Sequence, residues 1–416
     1  MPHLSISSNQ HATPKQQLIT TMRLAATIII AISTVASIAA HGQTFTTLYA
    51  FRGGNAGASP SNLILTPSGE LIGTAAYGSD CPCYLTFGLS PEAKETVLHR
   101  FSVPLGNEAE IPGGYSLSKD GETLYGLSNY GGDYTACPEG LGCGFVFSLD
   151  LSTNKYEVLH EFQGGPNDGA GPNGNMVFES EGNLFGMAFD GGANFTGAIF
   201  EITSAGAEKI IYSFGPVPDG NDPAGGLVRD SSGNFFGATI SGGTGSCQNG
   251  PGCGTVFEVT PSGKEKVLYS FTGGSDGQNP YWLVGNSAGA VYGISRTADN
   301  VVTAVFEVNS KGQFSIIYNG SFVSQITSLS LGPSGALYAT ATGGTVNPTC
   351  GDNGCGQVLQ LTPDGSGEWT ATVLHAFDGS DGEYVNFGVV VRNGDLYGAT
   401  AYGGPTGNGT IFKLVP

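Results

Sequence analysis

The chain is predicted to be all-β: a seven-bladed β-propeller of four-stranded antiparallel blades, its ring closed by an N-terminal strand in the last blade. Three observations predict it. First, an apolar-aromatic-small triplet recurs seven times: Leu71-Ile72-Gly73, Leu124-Tyr125-Gly126, Leu184-Phe185-Gly186, Phe235-Phe236-Gly237, Val291-Tyr292-Gly293, Leu337-Tyr338-Ala339 and Leu396-Tyr397-Gly398. A repeat of about 50 residues built from strand-like segments is a propeller period. Second, 68 of 416 residues are Gly with no G-X-Y period, which marks many tight turns. Third, the copies are out of phase with the chain ends. The seventh stops after its third strand at Ile411-Phe412-Lys413-Leu414, while an unattached fourth strand, Thr47-Leu48-Tyr49-Ala50-Phe51, stands near the start.

Each repeat reads as four strands. In the clearest copy, Gly226 to Arg229 is the first strand and Asp230-Ser231-Ser232-Gly233 a turn. Asn234 to Thr239 is the second, Gly254 to Val259 the third after a long Gly-rich loop, and Val267 to Phe271 the fourth after the turn Thr260 to Lys264. β-branched and aromatic runs bounded by Gly, Pro, Asn and Asp are the strand signal. Many strands are apolar at consecutive positions, as expected of a sheet covered on both faces. In up-and-down order, the first-to-second and third-to-fourth turns share one face and are short. The longer second-to-third and fourth-to-first loops share the other, where binding is expected to reside.

The chain divides into residues 1–42, read as a signal peptide with a preceding segment, and residues 43–416, a single propeller domain. Arg23 precedes the apolar stretch Leu24 to Ile38, followed by small residues, and Met22 is an alternative start to Met1. The stretch is short for a membrane span, and no later segment qualifies. The protein is therefore expected to be secreted or held at the cell surface. The formal charge of −19 argues against nucleic-acid or anionic-membrane partners, because such a surface repels phosphate. A monomer is expected.

The repeat unit, Val267 to Pro280 (VLYSFTGGSDGQNP), Gly226 to Thr239 (GLVRDSSGNFFGAT) and Cys253 to Gly263 (CGTVFEVTPSG), resembles the GloVer tandem repeat of exported bacterial proteins over residues 46–414. The resemblance implies an exported repeat protein and assigns no molecular function. Pieces such as Ser231 to Gly237 are also similar to NHL-type propeller repeats, which bears on fold alone.

The eight cysteines fall into local pairs: Cys81/Cys83, Cys137/Cys143, Cys247/Cys253 and Cys350/Cys355. All lie between second and third strands, and in an exported chain they read as loop-clipping disulfides, the tight Cys81-Pro82-Cys83 least clearly. His99, His160 and His375 occupy the middle of fourth strands where other copies carry Tyr49, Tyr212 and Tyr269, so they read as packing residues in separate blades. Asp168, Asp219, Asp276 and Asp381 each precede Gly in the loop entering a blade. They are read as turn residues, with a carboxylate circle facing a ligand as the competing reading. Tyr77, Tyr130, Phe189 and Tyr402 end second strands and are read as core, with sugar stacking as the alternative. Ser118-Lys119-Asp120-Gly121 is similar to the Asp box of sialidase propellers but occurs once and reads as a hairpin turn.

No nucleophile elbow, phosphate loop, dinucleotide fingerprint or His-Glu metal motif is present. No catalytic residue, cofactor or metal is therefore assigned. The sequence favours a non-catalytic binding or scaffold module for an extracellular glycan or protein, with Asp219, Asp276, Tyr281 and Trp282 as ligand-binding candidates near the central mouth. The alternative is an extracellular carbohydrate- or lactone-acting hydrolase with its site at that mouth, and a matrix component is a third reading.

Overall fold

Strand pairing follows from the repeat. Seven four-stranded antiparallel sheets form, each from consecutive strands except the last. Blade 4 shows the pattern with strands Gly220–Arg229, Phe235–Gly242, Thr255–Val259 and Glu265–Ser270. A computed structural model describes residues 43–416 apart from 78–82, 102–112, 134, 138–140, 180–181, 248–249, 287–288, 298–301, 321–324, 345–349, 352–353, 366 and 386. The signal-peptide reading of residues 1–42 lies outside the described residues.

Blades 1 to 6 begin with the inner strands Ala58–Leu65, Gly113–Leu117, Gly169–Phe178, Gly220–Arg229, Gln278–Gly285 and Ile326–Leu331. They end with the outer strands Glu95–Arg100, Tyr156–Glu161, Glu208–Ser213, Glu265–Ser270, Phe314–Asn319 and Trp369–Ala376. Blade 7 holds Val390–Arg392, Asp395–Thr400 and Thr410–Val415, and Thr44–Ala50 completes it from the other end of the chain. That strand runs antiparallel to Thr410–Val415, from Thr44 opposite Val415 to Ala50 opposite Thr410. Closure thus occurs where the phase of the repeats places it. Phe51, the next residue, is fully buried, which anchors the closing strand in the core between blades 7 and 1.

The second and third strands are the buried layer. Leu71, Ile72, Leu124, Leu184, Phe235, Val291, Leu337 and Leu396 are at most 3% exposed, and so are Phe87, Phe147, Phe200, Phe257, Phe306 and Phe412 from third strands. Fourth strands are only half covered, as in the i-e-i-B-i-i pattern of Glu265–Ser270, because each forms the rim of the disc. The core is a series of inter-blade clusters, each joining side chains of two adjacent sheets.

The inner strands are longer than the sequence signal. Blade 4's begins at Gly220, not Gly226, because two left-handed residues three apart, Asp222 and Gly225, kink the strand without ending it. The same pair of kinks occurs at Ser59 and Asn62, Gly171 and Gly174, and Asn279 and Trp282. No helix among the described residues is long and apolar enough to cross a membrane.

Candidate functional site

The long-loop face carries a cleft of about 830 Å³ between blades 2 and 3. Its walls come from the second-to-third loop of blade 2 (Asn129, Tyr130, Cys137, Cys143), the loop leaving that blade (Gln163, Gly164, Gly165) and the end of blade 3's second strand (Phe189, Asp190). Phe195 adds a side chain that is 63% exposed. Cys137–Cys143 clips the blade 2 wall, with Cα atoms 5.4 Å apart. A second hollow of about 400 Å³ opens where inner strands of blades 3, 4 and 5 meet, lined by Asn173, Asn175, Ala224, Tyr281 and Trp282. Asn129 and Phe189 line both.

Tyr281 and Trp282 therefore lie in the wall of the inner hollow. Both are partly exposed. Their polar atoms are anchored away from it: the Tyr281 hydroxyl donates to the Ile326 carbonyl at 3.2 Å and Trp282 Nε1 donates to the Leu329 carbonyl at 2.9 Å. The Arg296 guanidinium stacks on the Tyr281 ring at 5.1 Å. Burial raises the Tyr281 phenol above its ordinary value, so it stays neutral. Trp282 has a φ of +54°, at the position held by Gly174 and Gly225 in blades 3 and 4 and by Asn62 in blade 1. A bulky residue in that region is a backbone outlier that costs on the order of 1–3 kcal/mol.

Asp219 and Asp276 lie in the loops entering blades 4 and 5, with their carboxylates turned into those loops. Asp219 Oδ2 accepts from the Tyr212 hydroxyl and Gly215 N, both at 2.6 Å, and Oδ1 accepts from Gly220 N. Asp276 accepts from the Tyr269 hydroxyl at 2.9 Å, from Thr272 N and Oγ1 at 2.8 and 2.6 Å, and from Gly274 N at 3.2 Å. Burial, the hydrogen bond to Asp276 and its charge push the Tyr269 phenol up to about 12. The same device uses histidine elsewhere: His160 Nε2 is 3.3 Å from Asp168 Oδ1, and His375 Nε2 is 2.7 Å from Asp381 Oδ2. The four aspartates are turn closers, each locked to the Tyr or His of the strand before it. Repeats alone did not reveal this pairing, although the spacing of six to eight residues from Tyr or His to Asp carried it.

Second-strand aromatics depart from the core reading. Tyr130 and Phe189 line the cleft, and Tyr402 is 53% exposed with its ring 6.1 Å from that of Tyr384 on the same face. Tyr130 and Tyr402 lie just beyond the second strands Thr123–Ser128 and Asp395–Thr400, whereas Phe189 lies within Leu184–Gly191 and is partly exposed. Tyr77 is held at the rim, donating to the Phe101 carbonyl at 3.3 Å with Arg100 over its ring. Asp120 is a turn residue, accepting from Ser118 Oγ and Glu122 N.

Cys137–Cys143, Cys247–Cys253 and Cys350–Cys355 are disulfides within single loops of blades 2, 4 and 6. Cys83 is also disulfide-bonded, and Cys81 lies outside the described residues. Histidines 99, 160 and 375 stand in separate blades. His160 lies close to two carboxylates, Asp168 and Glu208.

A family model described as the Gloeobacter/Verrucomicrobia repeat matches residues 85–301. No curated protein matches the chain. Among solved structures, virginiamycin B lyase from Staphylococcus aureus is similar with a TM-score of 0.56 and 10% identity, over 90% of this chain and 99% of that one. An oligogalacturonate lyase in complex with manganese gives 0.54 and 12%, over 90% and 97%. The extracellular domain of a proposed one component system from B. thetaiotaomicron gives 0.55 and 13%, over 90% of this chain and 40% of that one. At such identities the likeness is one of fold.

Proposed function

This chain belongs to the Gloeobacter/Verrucomicrobia repeat family, and on that premise we propose that it is an exported, monomeric, non-catalytic binding propeller whose long-loop face holds an extracellular glycan. The observation that carries the reading is Trp282. Its ring borders the inner hollow on a left-handed backbone that other blades give to glycine or asparagine. A fold that holds an indole there against its backbone preference has a use for the ring. Phe189 and Tyr130 add aromatic faces along the adjoining cleft, and Asn129, Asn173, Asn175 and Gln163 add amides. Rings for the apolar faces of sugars and amides for their hydroxyls suit a neutral glycan. Asp219 and Asp276 serve the site by fixing the loops entering blades 4 and 5.

Three disulfides within single loops support an oxidising compartment, and with the apolar leader they support export. The hydrolase alternative calls for paired carboxylates. Asp190 is the one carboxylate among the described residues that line the two hollows.

A panel of labelled polysaccharides and secreted peptides tests the reading. Binding of a glycan that weakens about tenfold or more in W282A and in F189A, and persists when Asn309 and Gln313 on the short-turn face are changed, supports it. Binding that depends on Asn309 and Gln313 overturns the choice of face. Selective peptide binding replaces the glycan, and turnover of a bound polymer replaces the binding module with an enzyme.

A further inference from the structure

Around the rim, a residue near the start of six of the seven outer strands meets the central Tyr or His of the preceding blade's outer strand. Three meetings are ring on ring: Tyr156 on His99 with centroids 4.1 Å apart, Phe314 on Tyr269 at 4.3 Å, and Phe45 on His375 at 3.9 Å. Three others use glutamate: Glu95 beside Tyr49, Glu208 beside His160 and Glu265 beside Tyr212. Between blades 2 and 3 the preceding residue is histidine, the next loop supplies an aspartate and the next blade a glutamate. Among the described residues, this is the single place where three metal-ligating side chains converge.

One ligand atom each of His160, Asp168 and Glu208 lies within 4.8 Å of the other two, and the side chains of His160 and Asp168 are 19% and 14% exposed. Glu208 Oε1 is buried with no hydrogen-bond partner. An anionic oxygen buried beside a second carboxylate is costly unless a cation or proton answers it. Burial, then the Asp168 charge, push the Glu208 carboxyl up to about 7. An imidazole and two carboxylates are zinc donors.

We propose that His160, Asp168 and Glu208 bind one divalent transition-metal ion of the zinc type across the interface of blades 2 and 3. Gln163 N and Gly169 N, donating to Asp168 at 2.8 and 2.7 Å, hold its carboxylate in place for the ion. Gln163 also lines the cleft, so the ion steadies one of its walls. Between blades 3 and 4 the same geometry has Tyr212 in place of the imidazole, beside Asp219 and Glu265, and a neutral phenol is a poor ligand.

Tag-free protein stripped with EDTA is titrated with ZnCl2 by calorimetry and melted with and without the metal. The parent should take one ion per chain at micromolar zinc or below and melt at higher temperature with it. H160Y copies the pairing one blade on, so it should fold as the parent does by circular dichroism while its zinc affinity falls about tenfold or more, as it should in E208Q. Y212H completes a second set of three ligands and should raise the stoichiometry to two. No saturable uptake at micromolar zinc, or uptake that survives both H160Y and E208Q, overturns the site. A Y212H chain that still takes one ion overturns the argument that these three side chains suffice.

Discussion

Gly237 leaves the space that the Phe257 ring fills. The two face each other across the second and third strands of blade 4, and a Cβ on Gly237 would stand 2.3 Å from Phe257 Cζ. Gly126 with Phe147, Gly186 with Phe200, Gly293 with Phe306 and Gly398 with Phe412 repeat the arrangement. Blade 6 changes both partners, setting Ala339 opposite Leu359. The smaller Leu lacks the ring tip, so the extra methyl fits. Gly293→Ala should therefore destabilise by about 1–3 kcal/mol through overpacking. Adding Phe306→Leu should recover part of that loss by copying blade 6. A double-mutant cycle in urea measures the coupling, and additive losses would show that the pair is independent.

Ring closure rests on the Thr44–Ala50 strand and on Phe45, whose ring packs against His375, Phe377 and Phe412. Deleting residues 43–51 exposes the edge of Thr410–Val415 and empties the Phe51 site. The truncated chain should melt well below the parent and aggregate on heating. Equal melting curves would contradict closure as a source of stability.

Blade number and strand order were legible because each depends on residues close in sequence, a triplet and its hairpin turn; closure pairs residues from opposite ends of the chain and was legible only through the phase of the copies. The Asp-to-Tyr and Asp-to-His locks were half legible, since their spacing is local but their purpose appears only when strand and loop fold together. The His160, Asp168 and Glu208 group was not legible. Glu208 lies 40 residues beyond Asp168 and comes alongside only because neighbouring blades stack. The cleft was likewise hidden, because it depends on how far the loops of blades 2 and 3 leave Tyr130 and Phe189 uncovered. Tyr281 and Trp282 were visible as a pair, but the strain at Trp282 was not.

That strain gives an inverted prediction. In an ordinary strand Ala is more stable than Gly. At position 282 the order should reverse, with Trp282→Gly more stable than Trp282→Ala by about 1 kcal/mol, because only Gly adopts φ near +54° without cost. Chemical denaturation of the two variants decides it, and an Ala variant at least as stable would remove the strain argument.

Loop clips add stability chiefly through the unfolded chain. Cys247–Cys253 closes a loop with a sequence separation of 6. By chain entropy such a loop contributes about 2 kcal/mol. Cys247→Ser with Cys253→Ser should lower stability by that order while leaving the sheets intact by circular dichroism. The same change at Cys137 and Cys143 should in addition weaken ligand binding, because that clip forms a wall of the cleft. Equal effects of the two double variants on binding would argue against the cleft as the site.

Glu265 supplies the pH dependence. Burial, then the Asp219 charge, push its carboxyl up to about 7 in the folded protein, against an ordinary 4.5. The folded state thus holds a proton that the unfolded chain gives up. Stability from this group is fully present below pH 4.5, falls as pH rises from there through about 7, and is level above. Glu208 acts in the same direction and window when no metal is bound. Asp150, pulled down to about 2 by hydrogen bonds from Ser152 and Thr153, titrates below the window and leaves it undisturbed. Glu265→Gln keeps the shape of the side chain and removes its titration. In urea unfolding with EDTA at pH 4.5, 6 and 8, the variant should match the parent most closely at the acid end and exceed it at pH 8. A variant whose gain over the parent does not grow from pH 4.5 to pH 8 would mean that the Glu265 carboxylate is well solvated and that its contact with Asp219 does not resist ionisation.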